Sequence, residues 1–178
     1  MIKYDAAYYY NLLKIQTNTA QLINKIRWDF ISPYLPCVKG VYPARVFDWG
    51  CGVGWFAAYA PADIIVDTFD IMPVPQTKRR FDMYEMVTMW DVLEHIPDFT
   101  ELKDLFDRTK YVAITVPIKP EDMPWENYKH FKPGEHLHYY TQDLLKALFY
   151  RYGFMLEKAG TPECPPREDV YSFIFKKV

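Results

Sequence analysis

The sequence predicts an α/β fold, a mostly parallel sheet with helices on both faces and an antiparallel C-terminal strand. Three observations carry that expectation. Short apolar segments alternate along the chain with amphipathic ones, the strand–helix–strand order that a parallel sheet needs. The segment FDWGCGVGWFA, Phe47 to Ala57, places three of the chain's seven glycines within five residues, directly behind an apolar strand. The last part of the chain, FMLEKAG followed by VYSFIFKKV, holds two strand-like segments joined by a proline-rich connection.

Each element can be justified in turn. Residues 4–31 read as a helix, because Ala6, Tyr9, Tyr10, Leu13, Ala20, Ile23, Ile26 and Phe30 roughly follow a helical stripe and Pro33 and Pro36 end it. ARVFDWG, 44–50, is a short apolar strand running into the glycine turn, and GWFAAYA, 54–60, is a short helix stopped by Pro61. DIIVDTFD, 63–70, is a second strand rich in β-branched residues, and YEMVTMWD, 84–91, a third. Residues 98–110 read as a helix in which Asp98 and Glu101 have capping-box spacing. YVAITVP, 111–117, is a nearly all-apolar strand. Residues 118–140 form a long loop carrying Trp125, Tyr128, His130, Phe131, His136 and His138, and a loop of that length is more often functional than incidental. Residues 141–154 form a helix capped by Thr141 and ended by Gly153.

Composition narrows the function classes. The 178 residues fit a single domain, 1–178, in which 1–40 would form an N-terminal helical lid and 41–178 the cofactor-binding core. A formal net charge of −2 offers no electrostatic grip on nucleic acid or an anionic membrane. Three widely spaced cysteines, Cys37, Cys51 and Cys164, make neither a disulfide framework nor a Cys-based zinc site, and a reducing cytoplasm is the expected compartment. No apolar run approaches the length of a membrane span, and the first residues do not read as a signal peptide.

A glycine-rich turn between strand and helix points to a nucleotide cofactor held at the carboxyl ends of the strands. Gly50, Gly52 and Gly54 supply the turn, but Trp55 stands where the dinucleotide fingerprint has its third small residue. Asp48, two residues before the turn, would repel a pyrophosphate and could instead hold an ammonium group. Asp70 ends the second strand 22 positions later, where an acid can accept from both hydroxyls of a ribose. A cofactor cationic at one end and carrying a ribose satisfies both acids, and S-adenosylmethionine has that chemistry. A nicotinamide-dependent oxidoreductase is the competing fold-level reading, against which Asp48 and Trp55 speak.

These motifs, in this order, resemble the class I S-adenosylmethionine-dependent methyltransferases over roughly residues 44–154. FDWGCGVGWF is similar to that family's first motif, FDIMP (69–73) to its second-strand ending, MWDVLEHIPD (89–98) to the fourth-strand segment of one large branch, and EHLHYYTQDLLKALFYRYGF to that branch's C-terminal module. The resemblance implies a Rossmann-like sheet and a cofactor site made by Asp48, Gly50, Cys51, Gly52, Gly54, Asp70, Ile71, Trp90 and Asp91. Only about a dozen residues separate Asp70 from Tyr84, so the family's third edge strand is expected to be shortened or missing, which leaves Asp82 as the candidate for the adenine-side acid. The first 40 residues have no counterpart in it and are expected to form a lid or an oligomer surface, a homodimer among the possibilities.

Methyl transfer needs alignment above all, and a hydroxyl acceptor also needs a proton acceptor. His136 and His130 are the candidate general bases. Asp91, Glu94 and His95 read either as an acid/base or metal cluster or, the simpler case, as a capping box with a packed histidine; no resident metal is expected. His136 and His138 would lie on one side of an extended segment. The expected activity is methyl transfer to a small-molecule or glycan-like acceptor, with oxygen favoured by the histidines. The alternative is a non-catalytic protein that binds the cofactor or its demethylated product, or serves as a partner subunit.

Overall fold

The computed structural model describes residues 19–36, 42–72, 82–165 and 167–178, together with Ala7 and Asn11. In chain order the elements are α1 (Ala20–Ile31), β1 (Ala44–Trp49), α2 (Trp55–Ala58), β2 (Ile64–Phe69), β3 (Tyr84–Trp90), α3 (Lys103–Asp107), β4 (Thr109–Pro117), α4 (Gln142–Arg151), β5 (Phe154–Gly160) and β6 (Val170–Lys177). Among the described residues six strands form one sheet in the order β2-β1-β3-β4-β6-β5. The pairs β1–β2, β1–β3 and β3–β4 are parallel, while β6 runs antiparallel to both β4 and β5. The expected mixed sheet with a reversed final strand is therefore present. Residues 73–81, where a further edge strand would have to lie, are outside the described residues.

Strand alternation sends neighbouring side chains to opposite faces, and both faces are covered. On one, Val112, Ile114 and Val116 of β4 and Phe173 and Phe175 of β6 pack with Leu105 and Phe106 of α3 and Leu145 and Phe149 of α4. On the other, Ala113 and Ile174 join Val46 and Met86 against Trp28, Phe30 and Ile31 of α1 and Phe56 of α2. Stacked rings lock each layer: Phe149 on Phe175 with centroids 4.0 Å apart, and Trp28 on Phe56 at 4.1 Å. Full burial of each such side chain stabilises by about 1.5–3 kcal/mol. No helix among the described residues is long and apolar enough to cross a membrane.

The structure shortens several expected elements. The helix expected over 98–110 is a 3-10 turn, Phe99–Leu102, followed by α3. Asp98 does cap it, accepting from the Thr100 amide at 2.9 Å. The helix ends early because Thr109, β-branched and buried, already pairs with Tyr84 in the sheet. The helix behind the glycine turn is a single turn, with Gly54 left-handed at its start (φ 83°). Thr141 caps α4 as expected, accepting from the Leu144 amide, and Gly153 adopts φ 80° just past its end. Of the helix expected over 4–31, α1 is the described part, and it packs on the sheet through Trp28, Phe30 and Ile31. Most of the rest lies outside the described residues.

Candidate active site

The carboxyl ends of β1, β2 and β3 open into a cavity of about 610 Å³, within the range of small-molecule pockets. At its centre is the glycine turn. The Gly50 and Cys51 amides both donate to the Phe69 carbonyl, at 2.7 and 3.0 Å, stitching the turn to the end of β2. Gly50 has φ 76°, and a Cβ there would lie 2.3 Å from Cγ2 of Val92, so position 50 has room for glycine alone. Gly52 also has positive φ, at 55°.

Two carboxylates flank this turn. Asp48 is 1% exposed and accepts from the Thr88 hydroxyl of β3 at 2.7 Å. Burial is the main cause that pushes its pKa up to about 7, with Asp70 adding to it and Thr88 and Arg27 opposing. Asp70 accepts from the Gly52 amide at 2.7 Å and the Met72 amide at 2.8 Å, bonds that fix its carboxylate on the cavity wall. Cys51 and Ile71 line the same wall, and burial pushes the Cys51 thiol up to about 12, which keeps it protonated.

Trp90 and Asp91 follow at the end of β3, and both line the cavity. Asp91 sits at φ 60°, a strained conformation for a residue with a side chain. Arg27 of α1 donates to it at 3.0 Å, and Arg167 does so through two bonds of 2.9 and 2.7 Å. Both guanidinium groups also grip Glu163, whose side chain is 1% exposed. Burial by itself would raise the Asp91 pKa, but Arg167 and Arg27 hold it below the ordinary carboxylate range. The Arg27 guanidinium carbon also lies 5.0 Å from the Trp90 ring centroid, a cation–π distance. The capping box expected of Asp91 and Glu94 does not form: the 3-10 turn Leu93–His95 starts from Val92 with no side-chain cap, because Asp91 is drawn to the two arginines.

Beyond Asp91 the long loop folds back over this turn. The Glu94 carbonyl accepts from the Leu137 amide at 2.8 Å and the His138 amide at 3.2 Å. That tie brings His136 beside His95, with ring centroids 4.9 Å apart. Glu94 is buried and its Oε2 has no hydrogen-bond partner. Burial first and the Asp91 charge second push its pKa up to about 8. Burial and the neighbouring His95 lower His136 to about 4, so its imidazole is neutral at physiological pH. His95 Nδ1 lies 2.9 Å from the Glu135 carbonyl oxygen, which in the neutral ring fixes the proton on Nδ1 and the lone pair on Nε2. One potential ligand atom from each of Glu94, His95 and His136 falls within 4.8 Å of the others.

The cavity thus brings together Asp48, Gly50, Cys51, Gly52, Asp70, Ile71, Trp90, Asp91, His130 and His136. Gly54 begins α2 just behind the turn. Asp82 is not brought there: it precedes β3, at the opposite end of the sheet, fully exposed and 3.8 Å from Arg108. Its position in sequence suited an adenine-side acid, but parallel strands put the start of β3 far from the carboxyl ends. His138 is not among the residues lining the cavity. Its Nε2 bonds the Ile96 carbonyl at 2.9 Å and its ring packs on Phe99. Trp125, Phe131 and Tyr139 pack on one another away from the cavity. Sequence reasoning missed Asn24, Arg27 and Arg167, all of which line it. Asn24 and Arg27 share one face of the helix with Ala20, a spacing that was visible, but nothing local linked that face to the site.

The profile of a family described as a methyltransferase domain matches residues 20–159. No curated protein matches the chain. Solved structures do resemble it. A SAM-dependent methyltransferase from Archaeoglobus fulgidus is 19% identical, with 96% of this chain and 100% of that one covered and a TM-score of 0.63. The 1,6-didemethyltoxoflavin-N1-methyltransferase of Burkholderia thailandensis, solved with 1,6-didemethyltoxoflavin and S-adenosylhomocysteine bound, is 15% identical over 97% of this chain and 84% of that one, with a TM-score of 0.67. Magnesium protoporphyrin IX methyltransferase from Synechocystis PCC 6803, solved with S-adenosylhomocysteine bound, is 15% identical over 90% and 86%, with a TM-score of 0.59. At these identities the likeness is one of fold.

Proposed function

The chain belongs to the methyltransferase-domain family whose profile spans residues 20–159, and on that premise we propose that it moves a methyl group from S-adenosylmethionine to a small-molecule or glycan-like acceptor, with oxygen as the favoured acceptor atom. The observation that carries this reading is the pair of carboxylates, Asp48 and Asp70, at the ends of adjacent strands on either side of the glycine turn.

The residues present fit that cofactor. Asp48 is a buried carboxylate whose charge is disfavoured until a positive group arrives, and the cofactor's ammonium group is such a partner. Asp70, held by two amides, is oriented to accept from ribose hydroxyls. A pyrophosphate in the same place would meet two like charges. When bound, S-adenosylmethionine supplies an electrophilic methyl carbon on a sulfonium, so the protein's main task is alignment. The turn and Ile71 hold one side of the cavity. Trp90, under the Arg27 guanidinium, also lines the cavity.

An oxygen acceptor must also lose a proton. His130 and His136 are proton-accepting side chains on the cavity wall beyond Asp91, beside Glu94, which its raised pKa of about 8 keeps largely protonated at neutral pH. His136 is neutral and so competent to accept, and burial likewise lowers the His130 pKa, keeping that ring neutral too. The net charge of −2 supports a small acceptor over nucleic acid.

The test is calorimetric titration with S-adenosylmethionine, S-adenosylhomocysteine and NAD, followed by transfer of labelled methyl to hydroxylated small molecules. The first two ligands should bind and NAD should not. Binding of NAD in preference to S-adenosylmethionine overturns the proposal.

A further inference from the structure

Glu94, His95 and His136 form a group of side chains that the cofactor site leaves unused. They come from two segments about 40 residues apart, joined by the two hydrogen bonds that the Leu137 and His138 amides donate to the Glu94 carbonyl. Three features mark the group as more than packing. A carboxylate oxygen, Glu94 Oε2, is buried with no hydrogen-bond partner, a costly state for a polar atom unless something occupies the space beside it. The His95 ring is oriented through Nδ1 by the Glu135 carbonyl, the outer-shell bond that metal-ligating histidines commonly make, and its Nε2 lone pair is left available. The ligand atoms of all three residues lie within 4.8 Å of one another, and all three residues line the open cavity.

From this geometry we propose that Glu94, His95 and His136 bind one divalent first-row transition cation of the zinc type. Two imidazoles and one carboxylate make a borderline donor set, suited to such an ion and poorly suited to magnesium. Bonds of about 2.0–2.2 Å to one ion place three ligands about 3–3.5 Å apart, so side-chain adjustments of about an ångström close the group on the metal. Asp91 is not a ligand, because Arg27 and Arg167 engage both its oxygens. Three protein ligands leave coordination positions open, as in catalytic rather than structural zinc sites. Those positions face the cavity that holds Asp48 and Asp70. An acceptor oxygen bound there would be acidified by the cation, which then does the work otherwise asked of a histidine base. The cation site stands on ligand geometry alone; only this role rests on the methyl-transfer reading.

The experiment is titration of the untagged, chelator-treated chain with Co²⁺ in the absence of cofactor, followed by visible ligand-field absorption and by competition with Zn²⁺ and Mg²⁺. One equivalent of Co²⁺ should bind, with the intense absorption of a low-coordinate site, and Zn²⁺ but not Mg²⁺ should displace it. His136→Gln and Glu94→Gln should each weaken binding by more than the about 10–100-fold typical of losing an outer-shell partner, while His138→Gln leaves it unchanged. Thermal unfolding without metal checks that each variant folds. Absence of stoichiometric Co²⁺ binding to the wild-type chain overturns the proposal, as does binding that folded His136→Gln and Glu94→Gln retain in full. Because no cofactor is present, failure here is distinct from failure of S-adenosylmethionine to bind.

Discussion

Asp48→Asn removes a buried charge while preserving the side chain's size and its acceptor for the Thr88 hydroxyl. Burial raises Asp48 from 3.8 to about 7, roughly three units. At about 1.4 kcal/mol per unit, ionising it inside the folded protein costs about 4 kcal/mol above pH 7, an upper bound because the site can relax. The sign follows from proton binding. The folded state holds the proton more tightly than the unfolded chain, so Asp48's contribution to stability is full below about pH 4 and is lost as pH rises toward 7. The variant lacks that loss. Urea unfolding of both proteins at pH 5 and pH 8 should therefore show Asp48→Asn gaining about 2–3 kcal/mol on wild type between the two. With S-adenosylmethionine the order reverses. Losing a charge-assisted bond to the ammonium should weaken binding by about 1.5–3 kcal/mol, roughly 10–150-fold by calorimetry. A stability difference independent of pH refutes the burial argument, and an unchanged cofactor affinity refutes the ammonium assignment.

Gly50→Ala should destabilise by about 2–5 kcal/mol, combining the left-handed backbone cost with overpacking against Val92. Adding Val92→Ala should recover only the packing part, and thermal melts of the single and double variants check this. Arg27→Met leaves Glu163 without one of its two guanidinium partners. It should cost about 3 kcal/mol in urea unfolding, the low end for a broken buried pair because Arg167 remains. Asp70→Ala should weaken cofactor binding by about 1–3 kcal/mol in titration, whereas Asp82→Ala, at the far end of the sheet, should leave it unchanged.

How much of this was legible in the sequence depended on range. The glycine turn, Asp48 and Asp70 were readable because each lies at a strand end, and parallel strands bring their carboxyl ends together whatever the rest of the chain does. Asp82 failed by the same rule: it precedes its strand instead of following it. The early end of α3 escaped because sheet pairing at Thr109 overrode a helical pattern. The pairing of Asp91 with Arg27 and Arg167, 64 and 76 positions away, left no local trace, so a capping box looked like the natural use of Asp91. His136 looked like the partner of His138 on an extended segment. The fold-back of the loop onto Glu94 instead set His136 beside His95 and His138 on the Ile96 carbonyl.

The Arg27–Glu163 bond joins positions 136 apart in the chain. Closing so long a loop carries a large entropic cost that only the surrounding packed sheet can offset. The wall that Arg27 and Arg167 complete therefore depends on the packed sheet that brings these distant segments together. Local fraying of the connector between β5 and β6, which carries Glu163 and Arg167, would open the ligand crevice on that side without unfolding the sheet.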